Sequence, residues 1–328
     1  MLCELVRRAR RLGASDLHLA EGARPAVRVG GALQLLGEQC LPEGALQKVL
    51  QQLLPAKAWQ QLLHNGEVDT AFSEAPGERC RLNAYRQGGE LAVSIRLLQS
   101  SVPGCDTLGL PMSVQNLANL QQGLVLVTGA TGSGKSTTLA ALVQRINETR
   151  AVHVLTLEDP IEYVYTPRLA LISQREVGCD TQSFASGLRS ALRQDPDVIL
   201  VGELRDAETM AIALTAAETG HLVLATLHTQ EAAGAVGRIL DVLPDKRQVS
   251  VQLAECLQAV VCQRLLPRTD ASGRAAAFEV LIATPALRNL IREGRTHQLE
   301  SYIQTGGRFG MQTMAAAIEE LRKRGVVR

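Results

Sequence analysis

Residues 129–136 read Gly-Ala-Thr-Gly-Ser-Gly-Lys-Ser. Glycines, a lysine and a hydroxyl at this spacing make the phosphate cradle G-x-x-x-x-G-K-[ST]. Gly129, Gly132 and Gly134 carry no Cβ, so the backbone can curl around phosphates and turn its N–H groups inward. Ala130, Thr131 and Ser133 complete the loop, and Thr137 follows it. Lys135 offers a point charge to the β- and γ-phosphates, and the Ser136 hydroxyl is the expected Mg²⁺ ligand. The chemistry is capture of a nucleoside triphosphate with its metal.

Further residues supply what hydrolysis needs. Val198-Ile-Leu-Val-Gly-Glu203 is an apolar strand ending in a carboxylate, the pattern of a Walker B segment. Glu203 is the candidate for polarising the attacking water. A second strand, Leu155-Thr-Leu-Glu158, runs into Asp159-Pro160-Ile-Glu162. Three acids at one strand tip repel unless a cation sits among them; Mg²⁺–nucleotide is the obvious one, with Glu158 and Glu162 as second acids. Asp159 before Pro160 also reads as a helix N-cap. His221 and His228 bracket a buried strand, and His228 at its tip could sense the γ-phosphate. A purely structural role for either histidine stays open. No thiol or acid stands at zinc-ligand spacing from them. Arg189 and Arg193 lie four apart on one helical face, and Arg79, Arg81 and Arg96 lie in strands near the end of the first hundred residues. An arginine supplied by another domain or subunit would make hydrolysis conditional on assembly; ordinary surface charge is the alternative for each.

The elements that must position these residues follow from pattern. The cradle lies between an apolar strand, Leu124–Val127, and a helix from Lys135 towards Glu148. From about Ser113 strands alternate with helices, which predicts an α/β domain on a mostly parallel sheet. The further strands are Val152–Leu157, Val198–Val201 and Leu222–Thr226. Helices are predicted at Ala207–Glu218, Glu231–Leu243, Lys246–Leu266, from Thr284-Pro285 through Arg292, and over Met311–Arg324. Residues 1–98 read as a small α+β domain. An amphipathic helix over Met1–Gly13, docked on its own domain rather than on a membrane surface, precedes strands at Ser15–Leu19, Ala26–Val29 and Ala32–Leu35. A helical stretch broken at Pro55 follows, then strands near Val68–Phe72, Cys80–Arg86 and Glu90–Leu98. Residues 99–112, with Pro103, Gly104, Gly109 and Pro111, read as a linker.

Composition narrows the class. At 328 residues, two domains are expected. Hydrophobic residues are 46% but aromatics only 3%, so the cores must be built from Leu, Val, Ile and Ala. The 34 basic and 33 acidic residues leave a net charge of +1, which argues against nucleic acid held by bulk charge. Seven scattered cysteines without a C-x-x-C point to reduced thiols. No apolar run approaches the ~20 residues of a membrane span.

Taken together, these segments resemble the type II/IV secretion-system ATPase superfamily, and within it the type IV pilus retraction branch. The resemblance rests on Ser15-Asp-Leu-His-Leu19, Arg81-Leu-Asn83, the phosphate loop, Leu157–Glu162, Gln174–Gly178, Leu192–Val198, Gly202-Glu-Leu-Arg-Asp206 and Thr219–Thr229. It implies a PAS-like N-terminal domain at 1–98 and a RecA-like P-loop ATPase domain with a helical C-terminal segment at 113–328. It further implies ATP and Mg²⁺ as cofactors and a homohexameric ring on the cytoplasmic face of the inner membrane, working through an inner-membrane platform protein. By motif, Glu203 becomes the catalytic glutamate and Glu162 the Asp-box acid. His221 and His228 become the His-box residues, Arg81 and Arg96 the N-terminal-domain fingers, and Arg189 and Arg193 arginines near the site. Ala286-Leu-Arg-Asn-Leu-Ile-Arg-Glu-Gly294 resembles a segment of the retraction branch, which implies a coupling role including Arg288. Cys80, Cys179, Leu287 and the Gly30-Gly31 stretch depart from the family pattern. Two other readings compete: a nucleotide-binding regulator or divergent assembly ATPase of weak activity, and a nucleic-acid translocase on the same core. Intact Lys135, Ser136 and Glu203 oppose the first; the near-zero charge and lack of aromatic–basic interleaving oppose the second.

Overall fold

The computed structural model describes residues 1–75, 78–98, 101–270 and 273–328. The chain divides into two compact units, Met1–Ser101 with Glu162–Val164, and Val102–Ile161 with Tyr165–Arg328. Of the expected linker, Gln99 and Ser100 lie outside the described residues.

The first unit runs α1 (Leu2–Arg11), β1 (Asp16–Ala20), β2 (Ala26–Val29), β3 (Ala32–Leu35), α2 (Ala45–Leu53), α3 (Ala56–Asn65), β4 (Glu67–Ala75), β5 (Glu78–Gln87) and β6 (Glu90–Leu97). Its sheet is antiparallel throughout, in the order β3-β2-β1-β6-β5-β4. The α1 helix buries Leu2, Leu5, Val6 and Ala9, so its apolar face is used by this unit's own core. Gly13 follows it at a φ of 67°, a left-handed turn that suits glycine. The helical stretch breaks at Pro55 as expected, α2 ending at Leu53 and α3 starting at Ala56. Pro55 stands at the N-cap of α3, where its missing N–H costs nothing and its fixed φ suits a helix start.

The second unit runs α4 (Met112–Gln115), β7 (Gly123–Thr128), α5 (Lys135–Thr149), β8 (His153–Glu158), β9 (Leu171–Glu176), α6 (Phe184–Ala191), β10 (Val198–Val201), α7 (Ala207–Glu218), β11 (Leu222–Leu227), α8 (Ala232–Val242), α9 (Lys246–Cys256), β12 (Leu257–Pro267), β13 (Arg274–Ile282), α10 (Pro285–Arg292), α11 (Leu299–Thr305) and α12 (Met314–Lys323). The sheet order is β13-β12-β7-β11-β10-β8-β9. Every neighbouring pair is parallel except β12–β13. β7, β10 and β11 are buried at every position, as continuous apolar runs require when both faces are covered. The largest fully buried side chains of the chain are all Leu or Ile, in keeping with its poverty in aromatics.

Four local expectations change. The helix predicted over Lys246–Leu266 stops at Cys256, and β12 follows without a loop. The run Ala259-Val-Val-Cys262 is buried between β7 and β13, and that sheet environment outweighs the helical spacing of its leucines. β13 has an alanine-rich start and gives a weak strand signal, and β9 is a short edge strand of mixed polarity. Pro160 opens no helix, so Asp159 caps none. Arg193 lies past the end of α6 and donates to the Arg189 carbonyl at 3.0 Å, so the two arginines do not share a helical face.

The C-terminal segment shows what its arginines do. Arg288 reaches the carbonyls of Ala254 and Glu255 at 2.6 Å each, that of Ala283 at 3.0 Å, and Gln258 Oε1 at 3.2 Å. It therefore closes the open C-terminal end of α9 and ties it to the start of β12. Burial lowers its pKa below the usual arginine value. Arg292, one helical turn on, is exposed, and its side chain donates to Asn289 at 3.2 Å. Arg288 thus has a structural role as well as the coupling role that the resemblance implies. Arg288→Ala should cost about 2 kcal/mol for several lost charged hydrogen bonds, whereas Arg292→Ala should stay within about 0.5 kcal/mol; thermal melting of the two variants checks this. The thiols divide likewise. Cys3, Cys40 and Cys179 are exposed, Cys80, Cys105, Cys256 and Cys262 are buried, and burial pushes the Cys256 thiol up to about 12. Iodoacetamide at pH 8 should label only the three exposed cysteines before denaturation, as read by mass spectrometry.

Candidate active site

The parallel register decides where the functional side chains go. Thr128 at the end of β7 pairs with Leu227 of β11 and with Cys262 of β12. Val201 of β10 pairs with Ala225 and with Leu157 of β8. The phosphate loop, Glu158, Glu203 and His228 all leave these strands at the same carboxyl edge, where ligands bind in open α/β sheets.

The loop 129–134 turns from β7 into α5. Gly129 has a φ of 140°, and a Cβ there would stand 2.4 Å from the Gln263 carbonyl; at Gly134, with a φ of 88°, it would stand 2.8 Å from Gln263 Nε2. Only glycine fits where β12 presses against the loop. α5 has no side-chain N-cap, although α6, α7, α9, α10 and α12 each have one. Its first-turn amides are open to an anion, and the helix dipole favours one there. The buried Ser133 hydroxyl has no protein partner among the described residues. Exposed Ser136 stands in the first turn of α5. These features fit the phosphates of a nucleotide, with Ser136 placed to hold Mg²⁺. A cavity of about 290 Å³ lies against the loop, and Gln263, Arg264, Arg274 and Met314 form its other wall.

Lys135, Glu203 and His228 are brought together. Lys135 Nζ donates to the carbonyls of Gly129 and Ala130 at 2.9 and 3.0 Å and lies 3.4 Å from His228 Nδ1. His228 Nε2 lies 3.0 Å from Glu203 Oε1. One chain of contacts therefore joins Lys135 of the loop to the Glu203 carboxylate at the end of β10. Glu203 is mostly shielded, with 19% of its side chain exposed against 44% for His228. The carboxylate is also bonded by Arg205 Nε at 2.8 Å, and that contact raises the Arg205 pKa. Arg205 NH1 is 3.9 Å from Asp159. Glu158, on the next strand, accepts from Thr156 at 2.7 Å and Gln174 at 3.1 Å.

Other expected site residues lie elsewhere. His221 sits at the opposite edge of the sheet, beside Gly123, and bonds the Ala216 carbonyl at 3.0 Å. Arg189 pairs with Glu208 of α7. Glu162 groups with the first unit. Arg81 and Arg96 are direct cross-strand partners on β5 and β6. Each faces an acid, Asp69 at 3.8 Å and Asp16 at 3.1 Å respectively, which offsets the repulsion of adjacent cations. Two contributors escaped the sequence reading. Gln263 braces the loop and accepts from Thr138 at 2.7 Å, but it was hidden in a stretch read as helix. Arg205 stands within the Glu-bearing segment, and its i+2 spacing from Glu203 was the available signal.

The sequence matches the type II/IV secretion system protein family over residues 84–324. It is 55% identical over 254 residues to the uncharacterized protein YggR of Escherichia coli K12, covering 77% of this chain and 78% of that one. It is 44% identical to the type IV pilus retraction ATPase PilT of Pseudomonas aeruginosa, covering 99% of this chain and 95% of PilT. A crystal structure of the pilus retraction motor PilT with bound ADP superposes with a TM-score of 0.93 at 45% identity, over 100% of this chain and 94% of that one. The chain belongs to the type II/IV secretion system protein family.

Proposed function

We propose that the chain is an Mg²⁺-dependent ATPase and the subunit of a ring motor of the pilus-retraction kind. The observation that carries this is the continuous contact from Lys135 through His228 to Glu203, built on the phosphate-loop strand and its neighbours. The end-to-end likeness to PilT supports the motor reading, because it extends over both units rather than the nucleotide core alone.

In this reading the loop amides and Lys135 hold the ATP phosphates, and Ser136 holds Mg²⁺. The metal neutralises charge on the β- and γ-phosphates when bound. Glu203 accepts the proton of the attacking water, and His228, lying between Lys135 and Glu203, registers whether the lysine is engaged by phosphate. Glu158 and Glu162 are second acids of the site. Arg81 and Arg96 act on the nucleotide of a neighbouring subunit, which makes hydrolysis depend on a homohexamer. Arg189, Arg193 and His221, remote from the loop in their observed contacts, serve the site only across such an interface. The ring works at the cytoplasmic face of the inner membrane against a platform protein. Among the described residues no helix is long and apolar enough to cross the membrane, which fits peripheral attachment. The likeness to YggR, whose name assigns no activity, keeps a second reading in view: a divergent paralogue, or a weakly active nucleotide-binding regulator.

Specific ATPase activity should rise steeply with protein concentration until the ring is saturated, and Glu203→Gln should abolish it while ATP still binds. Flat activity over a range in which the mass shifts from monomer to ring would remove the shared site. Absence of turnover in the wild type would leave the regulator. Arg81→Ala and Arg96→Ala should each retain nucleotide binding and lose at least about tenfold in kcat, given the 10³–10⁵ that a full arginine finger supplies. Wild-type kcat in both would end the assignment of the fingers.

A further inference from the structure

Three acids, Glu158, Asp159 and Glu203, stand at the ends of two adjacent parallel strands, β8 and β10. Like charges so placed raise one another's energy unless a cation joins them. The protein supplies one from the same segment as Glu203. Residues 202–206 lead from the end of β10 to the start of α7, and within them the Arg205 guanidinium reaches back to the Glu203 carboxylate at 2.8 Å. Leu204, between the two, is buried in the core. The segment is anchored along its length. Thr226 Oγ1 donates to the Gly202 carbonyl at 2.5 Å, and the Leu204 amide donates to the Thr226 carbonyl at 3.0 Å. Asp206 caps α7 by accepting the Thr209 amide at 2.8 Å.

The two oxygens of Glu203 are held by different donors. Oε1 faces His228 Nε2 and Oε2 takes the Nε–H of Arg205. A carboxylate with one fixed donor on each oxygen cannot rotate about its terminal torsion without breaking a contact. Arg205 is itself stayed by Asp159 across the gap between the strands. We infer that Arg205 is a positioning residue for Glu203, orienting the carboxylate that activates water and joining the two acidic strand tips through Asp159. The inference rests on the role of Glu203 proposed above. Arg205 acts through Glu203 and makes no contact with the phosphate loop among those observed.

The test is steady-state ATPase kinetics of the assembled protein with Arg205→Ala, Arg205→Lys, Asp159→Asn and Glu203→Gln, each checked for native melting temperature and ring mass. Arg205→Ala should lower kcat at least about tenfold, a modest share of the 10²–10⁴ available from a well-placed base, with KM for ATP within about threefold of wild type. Guanidinium ion at low millimolar concentration should restore part of that kcat. Arg205→Lys should fall between wild type and alanine, because it keeps the charge without the planar fork. Asp159→Asn should lower kcat less than Arg205→Ala and add nothing in the double variant. If Arg205→Ala fails to fold, Arg205→Lys and Asp159→Asn carry the test by the same kcat criterion. Wild-type kcat in the Arg205 variants overturns the inference and leaves the Glu203 reading intact, provided Glu203→Gln is silent. A rise in KM at unchanged kcat also overturns it, because it makes Arg205 a nucleotide contact. Turnover surviving in Glu203→Gln removes the base and, with it, the brace.

Discussion

The site depends on register. Four adjacent strands, β7, β11, β10 and β8, run parallel and are paired so that they end within a residue or two of one another. A one-residue slip in such a ladder would turn every side chain to the opposite face. It would move Glu203 away from His228 and carry the phosphate loop out of reach of both. Register here is secured by burial on both faces, since β7, β10 and β11 expose nothing along their length. The leucines and valines that form the core are therefore also what brings Lys135, His228 and Glu203 within hydrogen-bond reach. The apolar middle and the polar edge of the sheet are parts of one arrangement.

The legible parts were those with a strong local signature. Glycines before a lysine, a continuous apolar strand ending in an acid, and histidines around a buried run are all set by near neighbours in sequence, and the structure found them at the expected sheet edge, His221 excepted. What escaped was set at long range. Gln263 and the whole of β12 were read as a continuation of α9, because Leu253, Leu257, Ala259 and Val260 suit a helix as well as a buried strand. Only the presence of β7 on one side and β13 on the other decides between the two. Arg288 was legible only as part of a motif, and its four acceptors come from α9, the start of β12 and the residue before the α10 N-cap. None of those contacts can be read from an eight-residue helix alone. A cation among the acids of the β8 tip was legible as Mg²⁺–nucleotide; the link that Arg205 makes from Glu203 to Asp159 was not, because the ends of β8 and β10 converge only in the folded sheet.

The first unit answers a different electrostatic problem. Arg81 and Arg96 stand side by side on neighbouring strands, an arrangement that costs energy on its own. Asp16 and Asp69 flank them, so the row Asp16–Arg96–Arg81–Asp69 alternates in sign only at its ends. The two acids balance the two cations and tether each of them. Ser15 adds to this by donating to the second oxygen of Asp16 at 2.8 Å, leaving the first for Arg96.

The absence of a side-chain cap on α5 has a consequence for how this protein could be altered. Helices α6, α7, α9, α10 and α12 gain from serine, threonine or aspartate at their N-caps, and Gly134 stands where such a residue would be expected to strengthen the fold. Any side chain there would meet Gln263 at 2.8 Å and would strain a backbone held at a φ of 88°. A hydroxyl or carboxylate that did fit would occupy the amides left open for phosphate. Thermal hardening of this chain by the usual consensus or cap-adding substitutions therefore has a forbidden position, at which any gain in durability would be taken directly from ligand affinity.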